Sequence, residues 1–189
     1  MGYSIKFNSF NARGLSEGSK RRTIFQCLKQ THTTLEVESK WRKEWGGNIY
    51  FSHGTHTSRG VAILFPKGLD IEVTSCSADN DGRFLLLKMF IEEQEFILIN
   101  VYAPTKDEPV EQVSFINYIS NELLPHLDGN LMIGGDFNCC LDPAIDKQGG
   151  VKEKQSPYAK EILAFNEQFN TLDVWRILNP EEKKYTWLV

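Results

Sequence analysis

The chain has 189 residues, of which 41% are hydrophobic and 24% are charged, and this balance is typical of one folded domain with a sizeable core. It excludes a disordered chain, and no apolar stretch approaches the roughly 20 residues that a membrane-spanning helix needs. The formal net charge of −4 does not by itself indicate a nucleic-acid-binding protein, because the phosphate backbone attracts clustered Lys and Arg.

The charge is distributed unevenly along the chain. Residues 1–68 carry 11 Lys and Arg against 4 Asp and Glu, a net of +7, whereas residues 69–189 carry 10 against 21, a net of −11. A group of N-terminal basic residues is therefore a candidate for contact with nucleic-acid phosphates, and a solvated helix end explains the same group equally well. These residues are Arg13, Lys20, Arg21 and Arg22.

The cysteines and the N-terminus indicate the compartment. The four cysteines lack the C-x-x-C spacing of a zinc site, and the first 15 residues lack the uninterrupted apolar stretch of a secretory signal. We therefore expect an intracellular protein, cytoplasmic or nuclear, with reduced thiols, no membrane partner and a monomeric state.

The N-terminal part of the chain predicts a strand, a loop and a helix. Polar and apolar side chains alternate over residues 3–9, which is the period of a half-buried strand, and Asn11 to Gly14 break that pattern. Apolar residues at helical spacing predict a short amphipathic helix over Lys20 to Gln30. Trp41 and Trp45 then repeat at i, i+4.

Five strands are predicted in the middle of the chain, and the short turns between them favour a mostly antiparallel sheet. Their ranges are Asn48 to His53, Gly60 to Phe65, Leu69 to Cys76, Arg83 to Phe90 and Glu95 to Ala103.

The second half adds helices to the strands. An apolar stripe predicts a helix over Glu108 to Leu127, and a buried strand follows over Leu131 to Gly135. A second helix is predicted over Ser156 to Phe169, with Ser156 as N-cap and Pro157 at the first helical position. This mixture predicts a layered α/β domain, single over residues 1–189.

The run Gly134 to Pro143 holds the strongest candidate chemistry. Asp136 and Asn138 directly follow the apolar strand, where Asp can take a proton from water and Asn can hold an oxyanion. Asn11 and Tyr102 also lie at the ends of predicted strands. Each of the four is explained equally well, when taken singly, as a turn or interface residue.

The order of four motifs along the chain resembles the endonuclease/exonuclease/phosphatase superfamily. The motifs are N-x-R-G-L from Asn11, S-R-G-V-A-I-L from Ser58, N-V-Y-A-P from Asn100 and G-G-D-F-N from Gly134. The segments Asn11 to Leu15, Leu172 to Arg176 and Tyr185 to Trp187 look most like the endonuclease domain of non-LTR (LINE-type) retrotransposons, which is related to apurinic endonucleases. The resemblance extends over residues 5–187.

The resemblance implies a four-layered α/β sandwich of the DNase I-like kind, with two mostly antiparallel sheets flanked by helices. It implies Mg²⁺ as cofactor, DNA as partner, and cleavage of a phosphodiester by activated water. Within it, Asn11 lies near the metal, Tyr102 and Asn138 contact the scissile phosphate, and Asp136 orients or deprotonates the water. These roles agree with the residue types.

A first departure from the family pattern concerns the metal ligand. The family carries a metal-binding glutamate in a strand that ends in Gln-Glu-Thr-His, whereas the matching residues here are Lys29 to His32, with Gln30 in place of the glutamate. About one strand and its connection are also missing. A neutral carboxamide binds Mg²⁺ far less well than a carboxylate, and Glu36 or Glu38 is the alternative ligand.

A second departure concerns the end of the sequence. The family continues with an Arg-x-Asp strand and a Ser-Asp-His that complete the site, and this sequence contains neither. We therefore expect an incomplete domain that lacks its C-terminal part. Four histidines are alternative stand-ins, although surface histidine is the simpler explanation of each. They are His32, His53, His56 and His126.

The leading hypothesis is an internally deleted and truncated retrotransposon endonuclease domain, with family chemistry that is Mg²⁺-dependent and an isolated chain that is inactive. One alternative is a phosphatase or nuclease of another branch of the superfamily. Another is a non-catalytic remnant that binds nucleic acid. A third is a chain that folds poorly, because loss of a central strand leaves unpaired edges.

Overall fold

The computed structural model describes residues 35–55, 58–126, 128–146 and 155–183. The strand predicted over residues 3–9 and the helix predicted over Lys20 to Gln30 lie outside these ranges. The chain divides into two compact units. One consists of residues 1–102 and 128–137 and is called the sheet unit; the other consists of residues 103–127 and 138–189 and is called the helical unit.

The described residues form six strands, five α-helices and one 3₁₀ turn. In chain order these are α1 (Leu35–Trp45), β1 (Asn48–Ser52), β2 (Val61–Phe65), β3 (Glu72–Ala78), β4 (Phe84–Ile91), β5 (Gln94–Tyr102), α2 (Pro109–Leu123), the 3₁₀ turn (Leu124–His126), β6 (Asn130–Asp136), α3 (Pro143–Asp146), α4 (Pro157–Phe169) and α5 (Val174–Leu178). None of the described helices has the length and apolar character needed to cross a membrane.

The sheet unit contains two sheets. The first pairs β1 with β2 in antiparallel register, and the second has the order β3-β4-β5-β6, in which only the β5–β6 pair is parallel. Alternate side chains of β2 pack against alternate side chains of β4 and form a core between the two sheets. That core includes Val61, Ile63 and Phe65 from β2, and Leu85, Leu87 and Met89 from β4.

Helix α1 covers the other face of the β1–β2 sheet. Trp41 is completely buried there against Ile49 and Ala62. Trp45, one turn later on the same face, donates from Nε1 to the carbonyl of Phe65 at 2.7 Å. The sequence did not predict this helix, although the i, i+4 spacing of the two tryptophans is the signal of its buried face.

The helical unit is organised by α2 and α4, which pack together. The predicted start of α4 is confirmed: the Ser156 hydroxyl accepts a hydrogen bond from the amide of Ala159 at 3.1 Å. Asn170 ends that helix in the left-handed conformation, with φ of 50°. The buried side chains of these two helices are Gln112, Phe115, Ile116, Ile119, Leu123, Tyr158, Ala159, Ile162 and Phe165.

Arg176 ties the later part of the helical unit together. Its guanidinium pairs with Asp146 and donates to the carbonyls of Asn179 at 3.1 Å and Glu182 at 3.1 Å. One side chain thus connects α3 to the loop after α5. The L-D-V-W-R segment therefore has a structural role, because Asp173 also caps α5 by accepting from the amide of Arg176.

The predicted fold class is confirmed, because two mostly antiparallel sheets are combined with helices. The strand bounds agree to within about two residues, except that β3 begins at Glu72 and not at Leu69. The reason is local: the amide of Leu69 bonds back to the carbonyl of Pro66 in a turn, so pairing with β4 starts only at Glu72.

Candidate active site

Two of the predicted site residues lie side by side in the sheet unit. Tyr102 ends β5 and Asp136 ends β6, and the parallel register pairs them directly. In-register residues of adjacent strands point to the same face, about 4.8 Å apart along the hydrogen-bonding direction. Tyr102 packs against the core between the two sheets, so both side chains lie on that face of β5 and β6. We call Tyr102 and Asp136 the strand-end pair.

Gly135 makes this register possible. Its φ is +132°, and a Cβ atom at this position would overlap the carbonyl oxygen of Val101 and lie 2.7 Å from the Val101 amide nitrogen. Only glycine therefore allows β6 to approach β5 closely one residue before Asp136. The G-G-D order of the motif is explained by backbone packing as well as by chemistry.

A turn between β3 and β4 lies at the same end of the sheet unit. The carboxylate of Asp79 accepts hydrogen bonds from the amides of Arg83 at 2.9 Å and Phe84 at 3.1 Å, and from the hydroxyl of Ser52 at 2.7 Å. This carboxylate therefore connects the end of β1 to the start of β4. The sequence predicted Asp79 only as part of a turn over Asp79 to Gly82, and it predicted no contact between this turn and β1.

We expect Asp79→Ala to destabilise the chain by about 3 kcal/mol, because three hydrogen bonds to one partly buried carboxylate are lost together. Urea unfolding monitored by circular dichroism measures this. The matched control is Asp81→Ala in the same turn, where the exposed pair with Arg59 contributes at most about 1 kcal/mol. Equal losses in the two variants would contradict the assigned role of Asp79.

Arg83 is a site residue that the sequence analysis missed. It is only 8% exposed, its Nη1 donates to the carbonyl of Tyr102 at 3.3 Å, and its guanidinium carbon lies 5.6 Å from the centroid of the Tyr102 ring. A charged residue immediately before a continuous apolar strand was the available signal, because such a residue is seldom buried without a specific contact.

Asn138 belongs to the helical unit, two residues after Asp136 in sequence. It adopts a left-handed conformation with φ of 45°, and its side-chain amide donates to the carbonyl of Ala103 at 2.7 Å. The buried Gln112 joins the segments that follow β5 and β6 by donating from Nε2 to the carbonyls of Pro104 at 3.0 Å and Asn138 at 3.3 Å. The amide of Asn138 is thus oriented by the segment that follows β5.

The remaining candidates lie outside the described residues, and so does the position of the expected internal deletion. These candidates are Asn11, Arg13, Lys20, Arg21, Arg22 and Gln30.

The described ranges do not supply a magnesium site. Within them, no group of three or more His, Cys, Asp or Glu side chains is placed to hold a metal ion. Mg²⁺ requires near-octahedral oxygen ligands and is usually held by carboxylates together with substrate phosphates. Among the residues that the resemblance assigns to the site, Asp136 supplies the one carboxylate within the described ranges, and the two residues assigned to the metal, Asn11 and Gln30, lie outside them.

Glu38, one of the alternative ligands, is engaged elsewhere. Its carboxylate contacts the guanidinium of Arg42 at 2.6 Å and Nε2 of His53 at 3.1 Å. Partial burial raises the pKa of Glu38, but the hydrogen bonds from Arg42 and His53 outweigh that effect and hold the pKa below its ordinary value. His53 therefore shares a hydrogen bond with Glu38 and is not a simple surface histidine, and it stacks on Phe51.

Neither cysteine of the G-G-D-F-N-C-C run, Cys139 or Cys140, forms a disulfide. Burial raises the pKa of Cys139 to about 11, so this thiol is neutral at physiological pH and is a poor nucleophile. Asp136 and Asn138 stay the candidates that the sequence predicts for the chemistry of this run.

No protein-family model matches the chain. In sequence the chain is similar to the "Transposon TX1 uncharacterized 149 kDa protein" of Xenopus laevis, with 36% identity over 163 residues. The alignment covers 85% of this chain and 12% of the transposon protein. The chain thus spans about an eighth of the length of this curated relative.

Two solved structures are similar to the chain over almost its whole length. An AP endonuclease from Archaeoglobus fulgidus has a TM-score of 0.66 and 21% identity, and the match covers 96% of this chain and 77% of that one. A 3′-5′ exonuclease (NExo) from Neisseria meningitidis has a TM-score of 0.66 and 17% identity, with the same two coverages. At these identities the likeness shows a shared fold.

Proposed function

Because the chain is a domain of the endonuclease/exonuclease/phosphatase superfamily, of the type that LINE retrotransposons carry, we propose that its strand-end pair is directed at DNA phosphodiesters. The observation that carries this proposal is the register that pairs Tyr102 with Asp136 at the ends of β5 and β6. The phenol of Tyr102 donates a hydrogen bond to a phosphate oxygen, and the carboxylate of Asp136 accepts a proton from the attacking water.

The second part of the proposal is that this chain binds DNA without cutting it. Family members use Mg²⁺ to neutralise the phosphate, but Gln30 occupies the position of the family's glutamate, and the described ranges hold no group of three or more His, Cys, Asp or Glu that could replace it. Without the metal, the negative charge of the Asp136 carboxylate repels the phosphate that the water must attack. Loss of a general acid or base alone typically removes a factor of about 10² to 10⁴ in rate, and here the metal is lost as well.

Incubation of the purified chain with supercoiled plasmid and Mg²⁺ tests this part of the proposal. We expect the unaltered chain to nick no more plasmid than the Asp136→Ala variant does, because both proteins lack a complete metal site. Nicking by the unaltered chain that disappears in Asp136→Ala would instead establish an active nuclease. A nuclease-competent relative assayed in parallel shows that the conditions support cleavage.

A DNA-binding measurement distinguishes the proposed remnant from an intact site. We expect Asp136→Asn to raise the affinity for duplex DNA about fivefold, because removing one charge next to a phosphate relieves about 1 kcal/mol of repulsion at an exposed site. Tyr102→Phe should lower the affinity by a similar factor, because one hydrogen-bond donor is lost. An Asp136→Asn variant that binds more weakly than the unaltered chain would contradict the proposal.

The charge distribution supports a contribution from the N-terminal basic residues. A net charge of +7 over residues 1–68 is the distribution that a polyanion-binding surface requires, and such binding weakens steeply as salt is raised. Replacing Lys20, Arg21 and Arg22 by alanine should reduce both the affinity and its salt dependence. The transposon relative favours this DNA-directed function over that of a phosphatase of another branch.

A further inference from the structure

We infer that Arg83 is a positioning residue that holds the Tyr102 side chain at the strand-end pair. The consequence for DNA binding rests on the proposed function of Tyr102. The structural claim, that Arg83 orients the Tyr102 ring, does not depend on that function. Arg83 lies immediately before β4 and takes no part in the roles assigned so far.

The backbone places Arg83 opposite Tyr102. The antiparallel register pairs Phe84 with Val101, and one step further the amide of Tyr102 donates to the carbonyl of Arg83 at 2.8 Å. Directly opposed residues of an antiparallel pair project from the same face of the sheet. Arg83 and Tyr102 are therefore cross-strand neighbours on the face that also carries Asp136.

The guanidinium contacts Tyr102 at two points. Its Nη1 donates to the carbonyl of Tyr102 at 3.3 Å, and its central carbon lies 5.6 Å from the centroid of the ring. A cation at this distance from an aromatic face is attracted to the ring, and the attraction is stronger where water is excluded. Arg83 is 8% exposed, so the contact is largely desolvated. A planar guanidinium can make both contacts at once, whereas a lysine ammonium is a single point charge.

Arg83 is itself held rigidly by the turn before it. Its amide donates to the carboxylate of Asp79 at 2.9 Å. The preceding Gly82 has φ of 70° and packs so tightly that a Cβ atom there would lie 2.5 Å from the amide nitrogen of Gly54. The backbone of Arg83 is therefore held by contacts that do not involve the Tyr102 side chain, which is the requirement for a residue that orients another.

The test uses the intact chain with ¹³C-labelled tyrosine rings, observed by NMR without DNA. The Tyr102 signals are assigned by their absence in Tyr102→Phe. In Arg83→Gln we expect these signals to shift and broaden, because the ring then samples several rotamers. Arg83→Lys should give an intermediate shift, since the charge remains but the fork of donors is lost. The Tyr50 signals are the internal control, because that ring packs against Phe65 in the core.

Folding is checked in the same samples. A cooperative thermal transition together with unchanged Tyr50 signals shows that a variant is folded. If Arg83→Gln is not folded by this criterion, the Tyr102 signals of Arg83→Lys are used to test the inference. Tyr102 signals that are identical in the unaltered chain and in a folded Arg83 variant would overturn the inference.

DNA binding then separates positioning from direct contact with phosphate. If Arg83 acts through the Tyr102 hydroxyl, Arg83→Lys alone should lower the affinity for duplex DNA about fivefold. Added to Tyr102→Phe, the same substitution should cause no further loss of affinity. Additive losses would mean that Arg83 contacts DNA itself and would overturn the inference. If the NMR shifts occur but duplex DNA never perturbs the Tyr102 signals, the positioning stands and the proposed function fails.

Discussion

Gly135→Ala should abolish the native pairing of β6 with β5. The new methyl group would overlap the carbonyl oxygen of Val101, which is main chain and cannot rotate away, and the residue would remain at a φ of +132° that L side chains rarely adopt. We expect a loss of more than about 4 kcal/mol, the range reserved for severe backbone and packing defects. Urea unfolding measures the loss of stability, and the Tyr102 NMR signals report the loss of the strand-end pair.

The matched control for this variant is Gly68→Ala. Gly68 also has a positive φ, of 85°, but a Cβ atom there would meet no atom within 4 Å. Its substitution should therefore cost only the conformational penalty, about 1 to 2 kcal/mol. Similar losses at the two positions would show that the φ angle and not the contact with Val101 makes Gly135 necessary.

Trp41→Ala should remove most of the packing of α1 against the β1–β2 sheet. Trp41 is 0% exposed, packs against Ile49 and Ala62, and meets the Phe51 ring edge-on with 5.8 Å between centroids. Truncation of a buried tryptophan typically costs about 3 to 5 kcal/mol, because the transfer free energy is lost and a cavity is left. Thermal unfolding together with hydrogen exchange of the α1 amides measures the effect.

Two other substitutions in α1 serve as controls for the loss of stability expected in Trp41→Ala. Trp41→Phe keeps most of the apolar volume and should cost clearly less than the alanine substitution. Lys43→Ala removes an exposed side chain and should change the stability by less than about 0.5 kcal/mol. A Trp41→Ala protein as stable as Lys43→Ala would mean that α1 contributes little to the fold.

Much of the fold could be predicted because its elements have strong local patterns. The apolar run from Phe84 to Leu87 and the alternation in β5 identify strands without reference to any partner. The helix over Pro157–Phe169 is marked by an N-cap, a proline and an apolar stripe. Each of these signals is contained within about 15 residues, so no tertiary information is needed to read it.

Helix α1 shows where that approach failed. Its sequence, LEVESKWRKEW, contains charges on most sides and only four apolar residues. A helix of this length is marginal in isolation, so its stability comes from packing on β1 and β2 and not from local propensity. The spacing of its apolar residues was therefore a weaker signal than the N-cap, proline and stripe that mark α4.

The strand-end site was predicted in part for a similar reason. Tyr102 and Asp136 were each recognised at the end of a strand, but their adjacency depends on the parallel pairing of β5 with β6 across 27 intervening positions that include α2. Arg83 and Asp79 were missed because their roles are contacts with distant residues: Arg83 with Tyr102, and Asp79 with Ser52. Neither contact partner can be identified from the residues around Asp79 or Arg83, because Ser52 and Tyr102 lie 27 and 19 positions away in sequence.

The sequence by itself determined the α/β class, most strand and helix positions, the family resemblance, and the candidates Tyr102, Asp136 and Asn138. Periodicity and motif order are properties of the sequence, and they can be recognised without knowing which residues are in contact in the folded protein. Only the tertiary structure decided which strands pair in each of the two sheets, that Tyr102 stands opposite Arg83 and beside Asp136, and that Glu38 is engaged by Arg42 and His53. Those outcomes follow from contacts between residues far apart in sequence, where shape and burial select one pairing among many.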